Sequence, residues 1–129
     1  MEAIDTFTLS VTGNVTGQLY DGTFKVKTLL TRREQFNADL KRREIVGGQP
    51  GDAMPTLQGE AFVLGQLFVR IVDGPGWWPQ SSFGLDLRDS NVTDEMFRLA
   101  LEAEQKAKES IRGKAKEALE KLSGNTAKA

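Results

Sequence analysis

The chain has 129 residues, of which 39% are hydrophobic and 27% charged, and it contains neither cysteine nor histidine. This length and composition predict one globular domain with its own core. The two absences exclude disulfides and Ser-His or Cys-His nucleophile pairs, and they argue against zinc, haem and iron–sulfur sites. We therefore expect no metal and no cofactor.

The charge balance is close to neutral, with 17 Lys plus Arg against 18 Asp plus Glu. Proteins that bind DNA or RNA usually show a basic excess, so we expect no nucleic-acid partner. No run of apolar residues reaches the roughly 18 that a spanning helix needs, and the first residues do not resemble a signal peptide. We expect no membrane contact and a cytoplasmic location.

Alternation of apolar and polar residues predicts three strands between about residues 6 and 30. The first runs over 6–12 and the second over 15–20, with a turn at Gly13-Asn14 between them. Asp21-Gly22 is typical of a type I′ hairpin, which places a third strand over 23–30. Three consecutive strands predict an antiparallel β-meander.

The pattern changes at Thr31, where the sequence Thr-Arg-Arg-Glu fits a capping box ending at Glu34. A helix over about 32–46 follows, and Gly47-Gly48 ends it. Three apolar residues of this helix are predicted to face the core: Phe36, Leu40 and Ile45. Residues 49–55 are predicted to form a loop.

A second, strongly apolar helix is predicted over about 56–72. Its stripe consists of Leu57, Ala61, Leu64, Phe68 and Ile71, widened by Phe62 and Val69. The segment Asp73-Gly74-Pro75-Gly76 ends it.

A long third helix is predicted from about residue 91 to 122. Its apolar stripe includes Met96, Ala100 and Ala103 and becomes mostly alanine afterwards. The prediction is an α+β fold, with a single domain over 1–108 (strands about 6–30; helices about 32–46, 56–72 and 91–108). Residues 109–129 form a helical extension, partly projecting, with a frayed end.

The loop after the second helix carries Trp77-Trp78-Pro79 and Phe83. The two indoles can be core residues or anchors of an interface. Because adjacent residues of an extended loop point in different directions, one indole can be buried while the other is partly exposed, and the sequence does not show which. The helical extension is also expected to bind a partner, because an isolated helix with a mostly alanine stripe gains little stability on its own. The candidate partner-binding residues are Trp77, Trp78, Phe83, Ile111, Ala115, Leu119 and Leu122.

Four carboxylates lie close in sequence before and inside the third helix: Asp86, Asp89, Asp94 and Glu95. They can form a divalent-metal or acid–base site, but helix capping explains most of them more simply. Likewise, the basic residues of the first helix are interleaved with acidic ones, which favours a solvated face over a phosphate site. We assign no catalytic residue.

Several segments, in this order, resemble small proteins from the structural gene blocks of tailed bacteriophages. They are Gly17 to Glu34 (GQLYDGTFKVKTLLTRRE), Asp39 to Arg43, Val69-Arg70 with Pro75-Gly76-Trp77-Trp78, and Leu85 to Val92. The resemblance covers roughly residues 15 to 105, so the first strand and the extension lie outside it.

The resemblance implies a non-enzymatic virion component of the head, neck or tail, which acts through contacts with other phage proteins or with its own copies. The alternative is a transient tail assembly chaperone that binds the tape measure or another phage protein. A carboxylate-dependent enzyme is a more remote alternative. The implied location is the host cytoplasm during assembly, and the virion if the protein is structural.

Overall fold

The computed structural model describes residues 3–47 and 55–128, with side chains to residue 122. Its strands are β1 (Ile4–Thr12), β2 (Leu19–Lys27) and β3 (Ile71–Asp73), and its helices are α1 (Arg32–Val46), α2 (Pro55–Arg70) and α3 (Ser90–Lys128). The predicted α+β fold, with a three-stranded antiparallel sheet and a long last helix, is confirmed. Most of the predicted 49–55 loop and the side chains of the predicted frayed end lie outside the described residues.

The assignment of the strands differs from the meander expected over residues 6–30. Asp21 and Gly22 do not form a hairpin turn; they lie inside β2, where they pair with Ser10 and Leu9 of β1. The connection is instead the polar, glycine-containing segment 13–18, in which the Gly13 amide donates a 2.8 Å hydrogen bond to the Gln18 carbonyl oxygen. Because nine consecutive pairs form around this turn, they outweigh the local preference of Asp-Gly.

The third strand also comes from a different part of the chain. Residues 71–73 pair with β2 in the order β1-β2-β3, with Val26 opposite Ile71. The sequence predicts Ile71 and Val72 as the end of the second helix, so this part of the prediction is wrong. The helix therefore stops at Arg70. The β-branched residues Ile71 and Val72 are compatible with a strand as well as with the helical periodicity. They form a strand because the edge of β2 offers backbone hydrogen bonds to them.

One face of the sheet is apolar and buried, while the other carries exposed Thr and Lys side chains. On the buried face the rings of Phe7 and Phe24 stack with centroids 5.2 Å apart. Helix α3 crosses this face and α2 lies beside it. The core therefore consists of the sheet face, α2, the tryptophan loop and about the first four turns of α3. Its other members include Leu9, Tyr20, Val26, Leu67, Trp78, Phe83, Val92, Met96, Ala100 and Ala103.

Helix α1 has the predicted bounds and the predicted capping box. The Glu34 amide donates to Thr31 Oγ1 at 3.1 Å, and the Glu34 carboxylate accepts from the Thr31 amide at 2.9 Å. The carboxylate also pairs with Lys27 at the end of β2, and the Lys27 hydrogen bond, followed by the Thr31 amide, lowers the pKa of Glu34. The cap therefore joins the helix to the sheet.

The predicted inward face of α1 is wrong at two positions. Phe36 is 72% exposed and Leu40 is 50% exposed, whereas Ala38 is buried and Ile45 is partly buried. The helix packs against α2 through small residues, because a Cβ added to Gly65 of α2 would lie 2.6 Å from the Ala38 carbonyl oxygen. This close backbone contact turns the larger residues outward.

The stripe predicted for α2 is also only partly correct. Ala61 and Leu67 are buried together with Gly65 and Arg70. The large residues Leu57, Phe62 and Phe68 are instead exposed. The periodicity alone could not show that one side of α2 faces the small residues of α1.

Candidate functional site

The tryptophan loop contributes chiefly to the core. Trp78 is buried, and its ring lies edge-on to Phe24 with centroids 5.9 Å apart. Trp77 is partly exposed, lies edge-on to Tyr20 at 5.1 Å, and donates from Nε1 to the Asp21 carbonyl oxygen at 2.8 Å. Both indoles therefore make most of their contacts within the chain, and only the exposed part of Trp77 is left for a partner.

Phe83, another predicted partner-binding residue, is buried as well. Its ring lies edge-on to Phe68 of α2 with centroids 5.1 Å apart, and the Lys41 ammonium lies over the Phe68 ring at 4.4 Å. The structure therefore separates the predicted candidates into an internal aromatic group and the exposed extension of α3.

The carboxylate of Asp89 has a structural role that the sequence did not predict. It is fully buried and accepts hydrogen bonds from the segment between β1 and β2: the Val15 amide at 2.7 Å, and the Thr16 amide and hydroxyl at 2.8 and 2.6 Å. The Tyr20 hydroxyl donates at 2.8 Å. Asp89 is therefore not one of the carboxylates that helix capping explains, because its side chain binds the segment between β1 and β2.

Burial raises the pKa of Asp89, but the hydrogen bonds from Thr16, Tyr20 and Val15 outweigh it and leave the pKa at about 2. The same contact raises the pKa of the Tyr20 phenol. Asp89 is thus a fixed anion that holds the β1–β2 connection. Within the residues that the structure describes, no group of three acidic side chains is placed to hold a metal ion.

Three basic residues in the second half of α1 pair with neighbouring acidic residues on the same helix. Asp39 contacts Arg42 at 3.0 Å and Arg43 at 3.1 Å, and Lys41 contacts Glu44 at 2.8 Å. These local pairs neutralise much of the basic run, in agreement with a solvated face.

A groove of about 640 Å³ lies where α1, α2 and α3 meet. Its apolar wall includes Phe62 and Phe97, whose rings lie edge-on with centroids 5.8 Å apart, and Leu101, which is 39% exposed. The groove is therefore an apolar surface that runs along one side of α3.

The buried side chain of Arg70 forms the polar part of the groove. Arg70 donates from Nε to Gln66 at 2.9 Å and from Nη2 to Glu104 at 3.2 Å. Its Nη1 is buried and has no acceptor among the described residues. This ion pair was not predicted from the sequence, where its only signal is an arginine at the end of an apolar helix.

The extension of α3 is the second exposed apolar feature. Helix α3 continues after Ala103, its last buried residue, and every described residue from 108 to 122 is exposed. Ile111, Leu119 and Leu122 are 52%, 65% and 64% exposed, and Ala115 is exposed as well. The groove and the extension lie along the same helix, and this surface is the candidate site for contacts with other proteins.

None of the described helices is both long and apolar enough to cross a bilayer. Comparison of the chain with models of protein families, with curated proteins and with solved structures found no match.

Proposed function

We propose that the chain is a non-catalytic component of a tailed-bacteriophage particle, located in the head, neck or tail, and that it works through protein–protein contacts. The observation that carries the proposal is the exposed extension of α3. About five turns of this helix project beyond the core, with Ile111, Leu119 and Leu122 in contact with solvent.

An isolated helix of this length gains little stability from its backbone hydrogen bonds alone, so most protein helices depend on packing of an apolar face. Large apolar side chains at helical spacing are also the anchors by which a helix binds a groove on another protein. The extension therefore fits a role in which a neighbouring subunit covers the helix.

The resemblance to phage structural-block proteins supports the biological setting. Its segments contain Tyr20, Arg70, Trp78 and Asp89, which the fold uses in its interior. The resemblance therefore concerns the scaffold. The extension lies outside it and is the part that adapts this scaffold to its own partner.

Quantitative mass spectrometry on purified particles of the phage that encodes the chain tests the proposal. We expect a fixed number of copies per particle. Detection only in the lysate of infected cells would contradict a virion role and favour the transient assembly chaperone.

Two variants connect the particle to the extension. Ile111→Glu places a charge among the exposed apolar residues of the extension and should remove the chain from particles. Lys106→Glu changes a charge without altering any of these apolar residues and should leave incorporation unchanged. Equal incorporation of both variants would show that the extension is not the contact surface.

A further inference from the structure

Along one stripe of α3, the spacing and the order of apolar and charged residues are the same in both directions, although the residues themselves differ. Six residues, separated by four, three, four, three and four positions, lie within an arc of about 80° on a regular helix: Phe97, Leu101, Glu104, Lys108, Ile111 and Ala115. From either end, two apolar residues precede a charged pair and two apolar residues follow it. We call these six residues the α3 stripe.

We propose that two copies of the chain associate by antiparallel pairing of their α3 stripes, with the twofold axis near residue 106. This inference rests on the proposed function and deepens it, because it names a second copy as the partner of the extension. In this register Leu101 faces Ile111 of the other copy and Phe97 faces Ala115. Glu104, which also pairs with Arg70 and Lys108 of its own chain, faces Lys108 of the other copy. Each of these contacts between copies occurs twice.

The spacing is that of a coiled-coil seam, in which apolar residues alternate at intervals of three and four. The charged pair at the centre determines the direction of pairing. A parallel pair would place Glu104 beside Glu104 and Lys108 beside Lys108, which is unfavourable, whereas the antiparallel pair places opposite charges together.

The wider charge distribution along α3 favours the same direction. Residues 90–105 contain four acidic residues and one basic residue, whereas residues 106–122 contain six basic and three acidic residues. Antiparallel pairing sets the acidic half of each helix beside the basic half of the other. This complementarity would be lost in a parallel pair.

The groove provides the space for the second helix. It lies beside the N-terminal half of the α3 stripe, where Phe62, Phe97 and Leu101 form its apolar wall, and its volume is about 640 Å³. In the proposed register the extension of the other copy runs along this groove and places Ile111 and Ala115 there. One association thus covers the groove together with Ile111 and Ala115 of the extension.

Light scattering on the full-length chain during size-exclusion chromatography measures its mass. We expect twice the 14.2 kDa of one chain at micromolar concentration. Lys108→Glu should raise the dissociation constant about tenfold, because each dimer loses two opposite-charge pairs. Lys106→Glu makes the same charge change outside the α3 stripe and should have little effect, and circular dichroism verifies that both variants fold. A monomeric wild-type chain, or equal effects of the two variants, would overturn the proposal.

Disulfide cross-linking tests the direction of pairing, since the natural chain has no cysteine. Leu101→Cys and Ile111→Cys should each remain uncrosslinked alone, because each cysteine lies about 15 Å along the dimer axis from its copy. A mixture of the two should form a covalent heterodimer after oxidation. Homodimers of each single variant would show parallel pairing and overturn the proposal. A monomer in solution combined with stoichiometric copies in particles would reject self-pairing and leave the virion role standing.

Discussion

The hydroxyl of Tyr20 donates a 2.8 Å hydrogen bond to the buried carboxylate of Asp89, which directly precedes α3. The same carboxylate binds the amides of Val15 and Thr16. A single side chain therefore joins the β1–β2 connection, β2 and the start of α3, and it anchors this end of the helix to the sheet.

We expect Asp89→Asn to lower the melting temperature by about 5–15 °C. The amide group of asparagine brings its own hydrogens toward donors of Thr16 and Tyr20, so buried groups lose their acceptor. Thermal unfolding followed by circular dichroism measures the effect. Asp86→Asn is the matched control, because Asp86 is exposed, and its melting temperature should be unchanged. Equal melting temperatures for both variants would contradict the structural role of Asp89.

The low pKa of Asp89 makes the stability of the fold sensitive to acid. Its pKa in the folded chain is about 2, below its ordinary value of 3.8, so the unfolded chain takes up the proton first as the pH falls. The stability that this carboxylate contributes is complete above about pH 4 and is lost between there and about pH 2. Urea unfolding at about pH 6 and about pH 2.5 should show the difference between wild type and Asp89→Asn shrinking in acid. A constant difference would show that Asp89 does not titrate in this interval.

Substitution by alanine should have opposite effects on stability at two glycines of α2, Gly59 and Gly65. Gly59→Ala should stabilise the chain by about 0.5–1 kcal/mol, because alanine favours the helix and a Cβ meets nothing within 4 Å. Gly65→Ala should destabilise it by about 1–3 kcal/mol, since its Cβ would lie 2.6 Å from the Ala38 carbonyl oxygen and push α1 away. Urea denaturation measures both. Stabilisation by Gly65→Ala would show that α1 and α2 do not pack this closely.

The two tryptophans differ in their expected contributions to stability. Trp78→Ala removes a buried ring and should cost about 3–5 kcal/mol. Trp77→Phe keeps an aromatic ring but removes the hydrogen bond to the Asp21 carbonyl oxygen, which should cost about 1 kcal/mol. Equilibrium unfolding in urea separates the two. A larger effect at Trp77 than at Trp78 would contradict the burial of the two rings.

Deletion of residues 110–129 should leave the remaining domain folded. The described side chains of this segment are exposed, and the last buried residue of α3 is Ala103. We expect the near-ultraviolet circular dichroism of the core aromatic residues to be retained in the shortened chain at low concentration. Loss of this signal would show that the core depends on the extension.

The sequence predicted features that depend on neighbouring residues. The bounds of α1 follow from the capping box at Thr31 and the left-handed Gly47, and the exposure of Ile111 follows from the thin apolar stripe around it. Features that depend on distant parts of the chain were missed. The residues neighbouring Asp89 in sequence do not indicate its hydrogen bond with Tyr20, and those neighbouring Arg70 do not indicate its ion pair with Glu104.

The errors in the sheet and in α1 have a similar origin. Asp21-Gly22 is compatible with both a turn and an extended strand, and the choice depends on β1 and on Pro75, which lies close to Gly22. Phe36 and Leu40 have the spacing of core residues, but the nearby Ala38 forms the contact with α2 because small residues allow the backbones to approach.

The contact between Tyr20 and Asp89 spans 69 positions of the chain, and this separation bears on synthesis at the ribosome. The β1–β2 hairpin is made first, yet the helix that covers its apolar face is made last. During translation the apolar face of the hairpin therefore stays uncovered by α3 until residues up to about Ala103 have left the exit tunnel. Closure of so long a loop is a slow step, so we expect docking of α3 to limit the folding rate.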